Sequence, residues 1–113
     1  MTTSTTRKHF AHSPAYLAGQ HDGQEWDVPH GTGELHEALR DLATSREGFD
    51  DATINAIGFA EFGRLCGLTE RQIGARGSAW TRACRVYDRA CRLAILSRAN
   101  RARKPCNGCA EPG

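Results

Sequence analysis

The chain has no hydrophobic run that approaches the roughly 20 residues needed to cross a bilayer. Its N-terminal residues include Arg7 and Lys8 but no apolar stretch after them, so we expect no secretory signal. Strict alternation of apolar and polar residues, the pattern of half-buried strands, is also missing, which predicts no β-sheet. These absences favour a small, single-domain, all-α protein of the cytoplasm.

Recognisable arrangements of catalytic residues are missing as well. There is no glycine-rich phosphate loop after a strand, and no carboxylate pair with a defined geometry. The histidines lie in the first third of the chain, and those at 21, 30 and 36 fall in predicted loops or at the edge of a helix. We therefore predict that the protein is not an enzyme and uses no cofactor.

The five cysteines are an odd number, which disfavours an extracellular disulfide framework and favours free thiols in a reducing compartment. Cys66, Cys84 and Cys91 are expected to be small core residues. Cys106 and Cys109 form a Cys-x-x-Cys and could supply two zinc ligands, but a structural site needs four. Since no second pair exists, we interpret them as unpaired thiols and keep zinc as the alternative.

Acidic residues are nearly missing from one segment of the chain. Residues 71–104 contain 10 basic side chains and only one acid, Asp88, which gives a net charge of +9. Residues 21–70 contain 11 acidic and 3 basic side chains, a net charge of −8, so the overall value of +2 hides a strong division. This division predicts an acidic body with a basic C-terminal element, which favours an anionic partner.

Apolar spacing predicts a bundle of four to five helices within residues 13–103, with flexible tails at 1–12 and 104–113. Ser13 and Pro14 are typical of a helix start, although Gly19 and Gly23 are expected to keep this helix short. Leu35, Ile54 and Ile57 are among the residues expected to point inward. Helical segments are predicted at about 14–21, 33–45, 50–66 (divided in two if Gly58 breaks it), from 70, and 79–100.

The last predicted helix has two different faces. Eight apolar residues between Trp80 and Ile95 gather on one face, and four arginines gather on the opposite one: Arg82, Arg85, Arg89 and Arg92. Guanidinium groups bind phosphates in a bidentate way, so this row predicts salt-dependent binding of nucleic acid. The alternatives are an acidic partner protein, or a solvated face neutralised by the acidic half of the chain. Leu93 and Leu96, beside the apolar face, leave a homodimer open.

Residues 59–73 have the spacing of a helix-turn-helix. Gly63 falls where two short helices must approach closely, Gly67 falls where the turn needs a positive φ, and Ile73 would fill the space between the helices. Thr69 and Gln72 have the spacing of a capping box, which predicts a helix start at residue 70. Over residues 59–79 the chain thus loosely resembles helix-turn-helix DNA-binding proteins, in particular the small TrfB-type repressors of plasmids.

The resemblance implies that the second helix enters the major groove of DNA. The side chains facing the bases would be Thr69, Arg71, Gln72 and Arg76, since Arg and Gln suit bidentate contacts with guanine and adenine. Three features depart from the family: it usually has Ala at the position of Gly63, glycines interrupt the second helix, and Arg76 stands where an apolar residue is usual. An ordinary αα-hairpin is the alternative.

Two functions follow from these patterns. The first is a DNA-binding regulator of transcription. The second is a protein-binding inhibitor or adaptor of a phage or plasmid, for example an anti-defence protein that acts on a nucleoprotein complex. Both use the basic C-terminal segment, and neither requires catalysis.

Overall fold

A computed structural model describes residues 13–29 and 33–110, with side chains described up to residue 102. In these ranges the chain forms helices and connecting turns without a strand, which confirms the predicted all-α class. None of the described helices combines the length and the apolar character that a bilayer span requires. The described residues form six helices rather than four to five: α1 Pro14–Glu25, α2 Leu35–Ala43, α3 Phe49–Ile57, α4 Phe59–Leu65, α5 Glu70–Ala75 and α6 Ser78–Ala110.

Helix α6 is the axis of the fold. Helices α1 and α2 make most of their contacts with it, and α3 and α5 touch it as well. The apolar face predicted for this helix is buried, with Tyr87, Cys91 and Ile95 fully inaccessible to solvent. The helix extends to Ala110, beyond the end predicted near residue 100 and into the predicted tail. The tail predicted at 1–12, like residues 111–113, lies outside the described residues.

Helix α1 is longer than its glycines predicted. It runs for 12 residues because Gly19 and Gly23 lie one turn apart on the side that faces α6. A Cβ at Gly23 would lie 2.6 Å from the carbonyl oxygen of Cys91 and 2.8 Å from the Cβ of Ala94. The two glycines therefore allow the backbones of α1 and α6 to approach closely, and this packing outweighs their low helix propensity.

Helix α3 is rotated relative to the predicted orientation. Phe49 and Thr53 are buried, whereas Ile57, which was expected to point inward, is 42% exposed. The carboxylate of Asp88 on α6 accepts a hydrogen bond of 2.8 Å from the backbone N–H of Phe49. This contact fixes the first turn of α3 against α6, and Ile57, the last residue of the helix, stays at the surface. Leu35 of α2 is likewise exposed, at 57%.

The buried hydroxyl of Tyr87 connects helices α1, α3 and α6 within the core. The hydroxyl of Tyr87 on α6 donates a hydrogen bond to the carboxylate of Asp22 on α1. The hydroxyl of Thr53 on α3 lies 2.9 Å from the same Tyr87 oxygen. Burial, together with the neighbouring Asp22 carboxylate, raises the pKa of Tyr87 far above its ordinary range. The phenol therefore stays neutral and acts as a fixed donor.

Cys66 and Cys91 are buried free cysteines, as the sequence predicted, and Cys84 is free and partly buried. Burial raises the pKa of Cys66 and of Cys91 from 9.0 to about 12.

We expect both thiols to resist alkylation near pH 8 in the folded protein and to react fully in denaturant, because only about 1 thiol in 10⁴ is ionised at that pH. Residue-resolved mass spectrometry after labelling measures this, and rapid native labelling at either position would contradict it.

The same thiols make stability depend on pH. A thiol whose pKa is raised by folding stabilises the folded state below the unfolded pKa, near 9, and the stabilisation is lost as the pH rises above that value. We expect the free energy of unfolding to fall between about pH 9 and pH 12, by roughly 1.4 kcal/mol per pH unit for each of the two thiols. Urea denaturation across this range, with Cys66→Ala and Cys91→Ala as controls, measures the slope.

Candidate nucleic-acid interface

Helices α4 and α5 approach as the helix-turn-helix spacing predicted. A Cβ at Gly63 would lie only 2.6 Å from the Cδ1 atom of Ile73, so a larger residue at this crossing would require the Ile73 side chain to shift. Gly67 has a φ of +77°, and its neighbour Leu68 donates a backbone hydrogen bond of 2.9 Å to the carbonyl oxygen of Gly63. The turn between the helices therefore has the geometry that the glycine positions indicated.

The predicted capping box is present at the start of α5. The Thr69 hydroxyl accepts a hydrogen bond from the Gln72 N–H at 3.1 Å, and the Gln72 Oε1 atom accepts one from the Thr69 N–H at 2.9 Å. Both side chains are exposed, but the acceptor atoms that bind the backbone are no longer free for a base edge. Of these two candidate residues, the structure thus leaves the Thr69 O–H and the Gln72 amide nitrogen as donors.

Arg76 makes a contact within the protein where DNA contact was predicted. It ends α5 in the left-handed conformation, with a φ of 47°. Its guanidinium lies over the ring of Phe59, 4.3 Å from the ring centroid, and 5.8 Å from that of Trp80. In this position its planar group covers aromatic surface between α4 and α6.

Arg71 remains available on α5. It is exposed and forms no salt bridge with any residue that the structure describes. The adjacent acid, Glu70, pairs instead with Arg64 of α4, at 3.1 Å between the Arg64 Nε and Glu70 Oε2 atoms. Arg71 is therefore the candidate on α5 best placed for contact with an anion.

Three arginines of α6 form the surface that we call the arginine face: Arg82, Arg85 and Arg89. All three are exposed, and none forms a salt bridge within the described part of the chain. They lie on one side of a continuous helix, and Arg82 and Arg89 are about 10 Å apart along its axis. The sequence predicted this arrangement correctly for these three positions.

Arg92, the fourth predicted member of the row, is not part of this face. Its Nε atom lies 2.8 Å from the Asp88 carboxylate, and its guanidinium donates to the carbonyl oxygens of Ala43, Ser45 and Glu47 at 2.9, 2.8 and 3.2 Å. Position 92 lies within about 20° of Arg85 around the helix, but about two turns further along α6, where its side chain meets the loop after α2. Arg92 therefore holds this loop in place and is not available to a partner.

Arg98 has a structural role that the sequence analysis missed. Its Nη1 atom donates to the carbonyl oxygens of Gly23 and Trp26, at 2.8 and 2.9 Å. A cation at the C-terminal end of α1 also interacts favourably with the helix dipole. The signal was present in the sequence, since position 98 follows Ile95 by three residues and so lies on the buried side of α6 rather than with Arg82.

We expect Arg92→Ala to lower the free energy of unfolding by about 2–3 kcal/mol, because three carbonyl oxygens and Asp88 lose a charged donor. The matched variant Arg89→Ala removes an exposed guanidinium from the same helix and should stay within about 0.5 kcal/mol of the original protein. Chemical denaturation measures both. Equal effects of the two substitutions would contradict the division between structural and exposed arginines.

Metal binding finds no support in the part of the chain with described side chains. No group of three or more His, Cys, Asp or Glu residues there could hold a metal ion. The side chains of Cys106 and Cys109 lie outside the described residues, so the zinc alternative stays a prediction.

Comparison with known proteins gives no relative. No protein-family model, no curated protein and no solved structure matches the chain. The interpretation of this surface therefore depends on its own geometry and charge. This surface has four exposed arginines without a salt bridge among the described residues, Arg71 on α5 and the three residues of the arginine face.

Proposed function

We propose that the protein is a small, non-enzymatic regulator of transcription that binds duplex DNA. Helix α5 would contact the major groove, and the arginine face would bind phosphates. The observation that carries the proposal is the division among the arginines of α6. Arg92 and Arg98 are committed to carbonyl oxygens of the protein, whereas Arg82, Arg85 and Arg89 face solvent without a carboxylate partner among the described residues.

The arginine face is suited to a phosphate backbone because it is rigid and of one sign. Its three side chains extend from one helix that is held by α1 and α2, so the backbone that carries them needs no ordering on binding. DNA carries closely spaced charges whose neutralisation releases counterions. A partner with a dense row of negative charge therefore satisfies this surface better than single acidic side chains.

The proposed contact with bases is limited by the size of α5. This helix has six residues, and the Thr69 and Gln72 acceptor atoms are used in its capping box. Direct readout would then fall mainly to Arg71, for which a bidentate contact with guanine contributes about 1–3 kcal/mol of discrimination. We expect phosphate contacts to dominate the affinity and sequence preference to be modest.

The salt dependence of DNA binding tests this proposal. With the three residues of the arginine face on phosphates, the slope of log K against log salt concentration should be about −2.7, which corresponds to a loss of about 40-fold in affinity between 50 and 200 mM salt. Fluorescence anisotropy with a labelled duplex measures the slope. Binding that is insensitive to salt, or no binding at 50 mM, would refute the proposal.

A second candidate function is a protein-binding inhibitor or adaptor of a phage or plasmid that acts on a nucleoprotein complex. The shortness of α5 and the stacking of Arg76 on Phe59 favour it, since both reduce what the motif offers to bases. The two functions respond differently to Arg71→Ala. This substitution should weaken DNA binding, but it should leave intact a stoichiometric protein complex that forms through the arginine face and survives nuclease treatment.

A homodimer is the weakest of the proposed partnerships. Leu93 is 43% exposed and lies one turn beyond Arg89, whereas Leu96 is partly buried against the core. Contact through Leu93 would bring the arginine faces of two copies near each other, and like charges oppose this. Light scattering at high protein concentration measures the oligomeric state.

A further inference from the structure

A cavity of about 660 Å³ lies where α1, the turn between α4 and α5, and the beginning of α6 meet. Its size falls within the range of roughly 300–1,000 Å³ that is usual for small-molecule sites. Next to the cavity, the turn packs closely on α1: a Cβ added at Gly67 would lie 2.7 Å from the ring of Pro14. The residues that define its chemistry are Pro14, Cys66, Leu68, Arg82, Ala83 and Val86.

The lining of the cavity is mostly apolar, and its polar residues are Ser13, Ser78 and Arg82. Arg82 is the only charged residue of the lining, and it has no ion-pair partner within the described part of the chain. Cys66 adds no negative charge, because burial raises its pKa to about 12 and keeps the thiol protonated. The cavity therefore complements a molecule with an apolar body and negative charge at one end.

We infer that this cavity binds a monocarboxylate with an apolar body, with the carboxylate on Arg82 and the body against Leu68, Ala83 and Val86. A single guanidinium matches one carboxylate through two parallel hydrogen bonds. A phosphate dianion would keep one charge unpaired beside apolar side chains, which is unfavourable. An uncharged apolar molecule would leave Arg82 without a partner at the cavity wall.

Binding at this site would compete with DNA. This consequence rests on the proposed function, because Arg82 belongs both to the cavity lining and to the arginine face. A carboxylate on Arg82 removes one phosphate contact, and a ligand against Leu68 also touches the turn that positions α5. We therefore expect the ligand to lower the affinity for DNA by about tenfold at saturation.

The test uses the full chain with sodium octanoate as the probe and 1-octanol as its uncharged analogue, followed by methyl NMR without DNA. We expect saturable binding of one octanoate, with the largest shifts at Leu68, Ala83 and Val86. Arg82→Gln should weaken it at least tenfold, whereas the matched variant Arg85→Gln should stay within twofold. Octanol should bind at least tenfold more weakly than octanoate.

Several results would overturn the inference. One is the absence of saturable binding, and another is equal affinity in the Arg82→Gln and Arg85→Gln variants. Nuclear Overhauser contacts between Val86 and residues 1–12 in the free protein would show that the chain fills the cavity itself. Shifts of the same methyl groups with protein concentration alone would assign the cavity to a second copy.

The DNA arm of the experiment separates this inference from the proposed function. Octanoate binding together with absent DNA binding would retain the cavity and remove only the regulatory consequence. If saturating octanoate binds but leaves DNA binding unaffected, the cavity site is likewise retained and only the competition with DNA is refuted. DNA binding without any octanoate binding would refute the cavity site alone.

Discussion

Replacing Arg85 and Arg89 together by glutamate is expected to lower the affinity for duplex DNA by at least 100-fold at about 100 mM salt. The double substitution removes two phosphate contacts and places two negative charges against the backbone of the nucleic acid. The slope of log K against log salt should become shallower by about 1.8, since each lost contact contributes about 0.9. Arg82 is left unchanged, so the cavity next to it does not enter the result.

The matched control is the double variant Arg40→Glu and Arg46→Glu. These two arginines are exposed on and just after α2, form no salt bridge within the described residues, and give the same change in net charge. We expect this control to lose no more than about threefold in affinity, through the weaker long-range field alone. Similar losses in both double variants would show that net charge, and not the arginine face, determines binding.

Gly23→Ala and Gly19→Ala are expected to destabilise the fold, although alanine is the better helix former. A Cβ at Gly23 would lie 2.6 Å from the Cys91 carbonyl oxygen, and one at Gly19 would press on the carbonyl of Tyr87. Both obstacles are backbone atoms and cannot rotate away, so α1 must move off α6. Overpacking of this kind costs about 1–3 kcal/mol, which for a domain of this size lowers Tm by roughly 4–8 °C per kcal/mol.

Gly74→Ala is the control for this prediction. Gly74 lies within α5, and nothing lies within 4 Å of the Cβ that the substitution would add. The change should therefore raise stability by up to about 1 kcal/mol, the difference in helix propensity between the two residues. Thermal unfolding of the three variants measures the contrast. Stabilisation by Gly23→Ala would contradict the close packing of α1 on α6.

The local parts of the fold could be predicted from the sequence because their causes lie within a few residues. The capping box at Thr69 and Gln72, the turn at Gly67 and the buried face of α6 each depend on neighbours along the chain. The length of α1 could not be predicted in this way. Gly19 and Gly23 lower helix propensity locally, and their effect reverses only when α6 packs against them.

The candidate site shows the same difference between local features, which the sequence predicted, and contacts distant in the sequence, which it did not. Helical periodicity placed Arg82, Arg85 and Arg89 correctly on one exposed side of α6. It could not show that the carbonyl groups of the loop after α2 would meet Arg92, because that contact joins residues more than 40 positions apart. The stacking of Arg76 on Phe59 could not be predicted for a similar reason, since it depends on how α4 crosses α5.

The exposure of some apolar residues also has a tertiary cause. Ile57 and Leu35 satisfy the spacing of an inward face, yet α2 and α3 are short helices whose orientation is set by a few contacts with α6. For α3 the deciding contact is the hydrogen bond from the Phe49 N–H to the carboxylate of Asp88, the lone acid of the basic segment. The spacing of apolar residues shows that a segment is helical, but it does not determine which side of a short helix packs against its neighbour.

The arginine side chains themselves offer the most direct test of the central claim. Their Nε–H signals can be followed by NMR while a duplex DNA is added at low salt. We predict large shifts for Arg82, Arg85 and Arg89 and no change for Arg92 and Arg98, whose guanidinium groups stay on the carbonyl oxygens of the protein. Shifts at Arg92 and Arg98, or none at the arginine face, would contradict the account.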